Sequence, residues 1–104
     1  MALLMAEAVR WFRLAAEQGF AAAQYSLGVQ YSSGDGVPED DVEAVRWYRL
    51  AAEQGDARAQ TELGSMYVKS EGVPQDDVLA YMWLNLAAAQ GEEVAQKNKD
   101  LVEQ

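Results

Sequence analysis

The chain has 104 residues, half of them hydrophobic, with 17 acidic against 8 basic side chains and a formal net charge of −9. This fits one domain with a core of its own, and the absence of cysteine and histidine excludes a disulfide framework, a thiolate nucleophile, a cysteine-based zinc site and the commonest general base. The acidity argues against nucleic acid and against an anionic membrane surface, both of which are bound through clustered lysine and arginine; five of the basic residues, Arg10, Arg13, Arg46, Arg49 and Arg58, stand among acidic neighbours.

No apolar run approaches the roughly 18 residues of a membrane span. The opening Met-Ala-Leu-Leu-Met-Ala-Glu has no basic region and too short an apolar stretch for a signal peptide, so a cytoplasmic protein is expected. Residues 1–18 read as a helix with an apolar stripe of Leu4, Ala8, Trp11, Phe12 and Ala15, ended by Gly19. A second helix runs from Ala21 to Ser32 with Ala23, Leu27 and Tyr31 at steps of four. Gly28 lies inside it, where glycine costs about 1 kcal/mol relative to alanine, so a large side chain is expected to press on the backbone there.

The loop from Ser33 to Asp41 holds the breakers Gly34, Gly36 and Pro38. Gly36-Val37-Pro38 returns as Gly72-Val73-Pro74, with the valine expected to tuck under its neighbours. Asp40 or Asp41 is placed to cap the next helix, and Glu43 to complete a capping box. That helix, within Val42 to Gly55, puts Ala44, Trp47, Tyr48 and Ala51 on one face and leaves Glu43, Arg46, Arg49 and Glu53 mostly off it. Gly55 ends it. Ala57 to Lys69 repeats the Ala23-Leu27-Gly28-Tyr31 pattern as Ala59, Leu63, Gly64 and Tyr67, and Ser70 to Asp77 is the second breaker loop. Val78 to Gln90 copies the Trp47 helix with Tyr81, Met82, Leu84 and Asn85 in place of charged or smaller residues, which suggests a more buried or end-capping role. From Glu92 to Val102 the Leu-Gly pattern opens again, but Lys99 and Asp100 replace the leucine and the glycine, as in the polar end of a stacked array.

Trp11, Trp47 and Trp83 recur every 36 residues, as do Gly19, Gly55 and Gly91, so the chain is a repeat array. It is expected to form one α-solenoid domain: a half repeat over 1–19, repeats over 20–55 and 56–91, and a degenerate capping helix over 92–104. The tryptophans are read as core. The acidic groups Asp35, Glu39, Asp40 and Asp41, and Glu71, Asp76 and Asp77, lack the spacing of a calcium loop and are read as caps and solvated loop residues. Ser65 and Lys69 are not in Ser-x-x-Lys spacing and no phosphate-binding loop is present. Neither catalysis, nor a metal, nor a cofactor is expected.

Ala23-x-x-x-Leu27-Gly28-x-x-Tyr31, Gly36-Val37-Pro38, Ala44-x-x-Trp47 and Ala51-Ala52-x-x-Gly55 resemble the Sel-one-like repeat family, close kin of tetratricopeptide repeats. The resemblance implies an all-α, right-handed superhelix, a solenoid of stacked antiparallel helix pairs with about two whole repeats and half repeats at each end. It implies a non-catalytic scaffold or adaptor whose first helices line a concave groove for a peptide or protein partner. By that analogy the groove positions are Tyr25, Val29, Ser32 and Ser33, then Thr61, Ser65, Val68 and Lys69, with Arg58, Lys97 and Leu101 extending the strip. An apolar end with two positive charges would suit a peptide carrying an acidic residue. The alternative is a structural or assembly protein, a homodimer among its forms, that stacks on another copy through Leu3, Leu4, Val9 and Trp11 of a helix lacking its usual partner.

Overall fold

The computed structural model describes residues 2–91 and 99–100, with side chains described from Leu4 onward. Five helices follow one another: α1 (Ala2–Glu17), α2 (Ala21–Ser33), α3 (Asp41–Glu53), α4 (Ala57–Lys69) and α5 (Asp77–Ala89). Lys99 and Asp100 are helical, and no strand occurs among the described residues. Each helix packs on the next in sequence, giving an all-α solenoid of helix pairs that measures 44 × 23 × 20 Å.

Aspartate side chains start α3, α4 and α5. Asp40 has extended backbone and its carboxylate accepts the Glu43 N–H at 3.1 Å; Asp76 does the same for the Leu79 N–H at 3.0 Å. Asp56 accepts from the N–H groups of Arg58 and Ala59 at 3.0 and 3.1 Å. The capping box expected at Glu43 is half formed. The Asp40 N–H already donates to the Tyr31 carbonyl across the loop at 2.9 Å, and the Glu43 carboxylate turns to Arg46 at 3.3 Å. At the other end of α3, Gly55 takes φ +95°, so that its N–H reaches the Ala52 carbonyl and the Asp56 N–H reaches that of Ala51, at 2.9 and 3.1 Å. These two bonds satisfy carbonyls that the last turn would leave open.

Packing follows the same period. Gly28 leaves space for Tyr48: a Cβ there would lie 2.7 Å from two ring carbons. One repeat on, a Cβ at Gly64 would lie 2.6 Å from Leu84 Cγ. The pressing side chain expected from the sequence is therefore present at both glycines. Val37 and Val73 pack against the core, as expected of the loop valines. Gly36 and Gly72 rest on the preceding second helix. A Cβ at Gly36 would meet the Met5 carbonyl oxygen at 2.6 Å, and one at Gly72 that of Asp41 at 2.5 Å.

The tryptophans divide. Trp47 is buried among Val9, Ala16, Ala23 and Leu27 at 3% exposure, and Trp83 is half-buried against the α3–α4 core. Trp11 is 59% exposed, which corrects the reading of all three as core. Each tryptophan reaches back to the hairpin before it, and no described helix lies in front of α1. Of the residues expected to give α5 a more buried or end-capping role, Leu84 is wholly buried, while Tyr81, Met82 and Asn85 are exposed, as is Leu86. Met82 and Leu86 stand at the repeat positions of Arg46 and Leu50, which already face water, and a change of side chain does not turn the helix.

A polar element runs through this apolar stack. Buried Gln24 donates to the Ala16 carbonyl at 3.2 Å and accepts from the Gln54 side chain at 2.8 Å. Gln60 donates to the Ala52 carbonyl at 3.1 Å and accepts from Gln90 at 3.0 Å. These glutamines link successive helices in pairs and keep buried carbonyls and amides satisfied.

Candidate functional site

The face formed by the first helices, α2 and α4, carries Tyr25, Val29, Arg58, Ser65 and Lys69 of the expected groove residues. Tyr25 is half-buried, its ring centroid 5.8 Å from that of Tyr48, and the Arg58 guanidinium of α4 lies 4.3 Å over the Tyr25 ring. This contact crosses from one repeat to the next and is within the range of cation–π attraction. Arg58 is held in place by Asp56, at 3.0 Å. Val29 and Lys69 are exposed, and Ser65 is half-buried. Lys69 stands 11 residues beyond Arg58 on α4, about 16 Å along the helix axis, so the two charges mark opposite ends of the strip.

Ser32, Thr61 and Val68 face inward, whereas Ser33 is exposed. Ser32 is half-buried and hydrogen-bonded to the Tyr48 phenol, whose acidity is suppressed first by burial and then by the nearby Glu62 carboxylate. Ser33 donates to the Val29 carbonyl at 2.9 Å. Val68 packs against the core. Thr61 is 4% exposed and its hydroxyl donates to the Ala57 carbonyl at 2.9 Å, which corrects its assignment to the groove. It shares a repeat position with Tyr25, but its short side chain folds back on its own helix and does not reach the surface. Lys97 and Leu101 lie outside the described residues, as do the side chain of Leu3 and all of the expected capping helix except Lys99 and Asp100.

The second candidate surface is the open side of α1. Leu4 and Trp11 are exposed, with the Arg10 guanidinium 5.7 Å from the Trp11 ring. Ala8 and Ala15, on the same side, are half-buried, whereas their counterparts Ala44 and Ala51 on α3 are wholly buried. Val9 does not belong to this surface. It is 5% exposed, packed with Ala16, Ala23, Leu27 and Trp47, and it lies beneath Gly36.

Sequence reasoning missed two recurring features. Arg13 donates to the Tyr31 hydroxyl and Arg49 to that of Tyr67, tying a second helix to the first helix of the following hairpin. Leu14, Leu50 and Leu86 are exposed at one repeat position on the three second helices. Their 36-residue recurrence was the available signal, but such apolar recurrence also marks core. Among the described residues no three potential metal ligands gather, no pocket opens, and no helix is long and apolar enough to cross a membrane.

Comparison with known proteins bears on what such surfaces serve. A Sel1 repeat model matches residues 5–20, 21–56 and 57–92. Among solved structures, a Sel1 repeat protein from Oxalobacter formigenes superimposes with a TM-score of 0.86 at 41% identity, covering 89% of this chain and 38% of that one. A protective antigen present in uropathogenic Escherichia coli strains, described as displaying an SLR fold, superimposes with a TM-score of 0.85 at 44% identity, covering 86% of this chain and 19% of that one. The chain thus spans well under half the length of either structure. No curated protein sequence matches. Sel1 repeats generally mediate protein–protein interaction and are typically a non-catalytic scaffold. With matched repeats over nearly its whole length and the helix-pair stack to accompany them, the chain belongs to the Sel1 repeat family.

Proposed function

We propose that the protein is a non-catalytic adaptor that holds a segment of another protein against the α2–α4 face. The observation that carries this reading is the Arg58–Tyr25 contact, which joins two repeats into one surface with an aromatic floor and a fixed positive charge. Val29 adds exposed apolar area and Lys69 a second charge at the far end. In a chain of net charge −9, Lys69 favours a segment with an apolar anchor and an acidic residue. Replacing Arg58 and Lys69 together by glutamate is expected to abolish partner capture in a pulldown while leaving the helical circular dichroism unchanged. Undiminished capture by that variant would remove the α2–α4 face as the binding surface.

A second reading, assembly through α1 with a homodimer as its simplest form, is favoured by the contrast between Trp11 and Trp47 in equivalent positions. Light scattering on the wild type and on Trp11→Glu decides it. A mass that is the same for both, at every concentration and with every added partner, would eliminate α1 as an assembly surface.

A further inference from the structure

We infer that the outward rows of α3 and α5 form a further docking surface, shaped for an amphipathic helix of a partner protein that carries basic residues beside its apolar stripe. This goes beyond the reading of the α2–α4 face and uses none of its residues.

Stepping by four along α5, Val78, Met82 and Leu86 make one row, and all three are exposed. Residues four apart are neighbours on a helix surface, so the row is a continuous apolar ridge about 12 Å long. Val42, Arg46 and Leu50 make the same row one repeat earlier, on α3. That helix has α2 and α4 packed against it and buries Trp47 and Tyr48 in the core, yet Val42 stays 65% and Leu50 38% exposed. The row is therefore open in the middle of the stack, and its openness on α5 belongs to the repeat. Apolar residues scattered singly over a surface are ordinary, whereas a contiguous ridge marks a place for a partner. A ridge of residues at i, i+4 and i+8 fits the groove between two such ridges on another helix, so its complement is itself a helix.

Charge selects the polar side of that helix. α5 contains no basic residue, and the two on α3 are both engaged. Arg46 pairs with Glu43 at 3.3 Å and lies 4.8 Å over the Trp47 ring, and Arg49 donates to the Tyr67 hydroxyl. The carboxylates are less occupied. Glu53, one turn beyond Leu50, is exposed and has no ion pair or hydrogen bond among the described residues. Asp77, beside Val78, is exposed and accepts only from the neutral Gln75 amide, at 3.5 Å, among the described residues. As equivalent helices of successive repeats, α3 and α5 run in the same direction, so Glu53 and Asp77 mark opposite ends of the surface. A helix with lysine or arginine flanking its apolar stripe meets both, and the net charge of −9 steers it in, whereas an acidic helix is repelled.

Fluorescence anisotropy tests this with the full chain and a labelled amphipathic model helix of leucine and lysine, set against the same peptide with glutamate in place of lysine. Wild type is expected to bind the lysine peptide, more weakly as salt rises, and to leave the glutamate peptide free. Leu50→Ala, Met82→Ala and Leu86→Ala together keep the net charge and favour the helix, and are expected to weaken binding about tenfold or more. If that variant loses its helical circular dichroism, Met82→Ala alone is used, with a loss of about threefold expected. Glu53→Lys is expected to cost about threefold or more, whereas Asp35→Lys, the same change of charge in the loop before α3, leaves binding near wild type. Equal losses in these two variants would show attraction by net charge alone and overturn the surface, as would no binding by wild type or full binding by the folded alanine variant. A wild-type mass above one chain in light scattering, restored to one chain by the alanine substitutions, would put a second copy on the ridge and overturn the partner helix. Arg58→Glu with Lys69→Glu is expected to bind the lysine peptide at least as tightly as wild type, so failure of the α2–α4 face and failure of this one are read separately.

Discussion

Phe20 shows how much one residue can leave undone. It sits at the N-cap of α2 with φ −73° and ψ 114°, nearly the backbone of Asp56 at the N-cap of α4, φ −68° and ψ 110°. Asp56 caps its helix through two N–H groups, whereas Phe20 makes no side-chain cap bond and is exposed. Phe20→Asp is expected to raise stability by about 0.5–2 kcal/mol, read as a higher urea midpoint with an unchanged slope. Tyr48 carries a pH dependence of the opposite sense. Burial, reinforced by Glu62, raises the pKa of its phenol above the ordinary tyrosine value. Above about pH 10, where an exposed tyrosine ionises, the unfolded chain releases this proton while the folded chain keeps it, so stability falls as pH rises and is fully retained below that range. The urea midpoint of wild type should drop more steeply than that of Tyr48→Phe across this range, and parallel curves would show that Tyr48 contributes nothing.

At the scale of the helix, the pairwise glutamine links are the feature with most at stake. Gln60 is buried between the Ala52 carbonyl and the Gln90 amide. Gln60→Leu conserves bulk but removes the bonds to the Ala52 carbonyl and from the Gln90 amide, and is expected to cost about 0.5–1.5 kcal/mol per bond in denaturant unfolding. These links also show where the sequence stopped being informative. The period, the aspartate caps, the αL glycines and the pressed glycines were legible because each depends on residues within one repeat and its copy. Val9 and Thr61 were not. Val9 and Trp11 are apolar residues on nearly opposite sides of α1, and periodicity cannot decide which side is covered when the covering helix lies elsewhere in the chain. Thr61 shares its position with Tyr25, and burial there depends on side-chain length. The Tyr25–Arg58 pair was recoverable as a strip of positions but not as a contact, because its closeness comes from the approach of two separate repeats.

The molecule as a whole behaves as a one-dimensional stack in which every helix depends on its neighbours. α3 and α4 are flanked by helices on both sides, while α1 packs along α2 and leaves Trp11 in water. Native-state hydrogen exchange should therefore find the slowest amides in α3 and α4 and the fastest helical amides in α1. Uniform protection along the array would mean that it opens as a single cooperative unit. Two of the proposed surfaces also differ in kind at this scale. The α2–α4 face spans two repeats, whereas the Trp11 face lies on a single helix.

The seating of Gly36 on Met5 and of Gly72 on Asp41 brings loop main chain directly against helix main chain, at sites one repeat apart. The pitch of the array is thus gauged by peptide groups, which are common to all twenty amino acids. Outward-facing side chains can be rewritten repeat by repeat, to suit one client or another, without altering the spacing at which they are displayed.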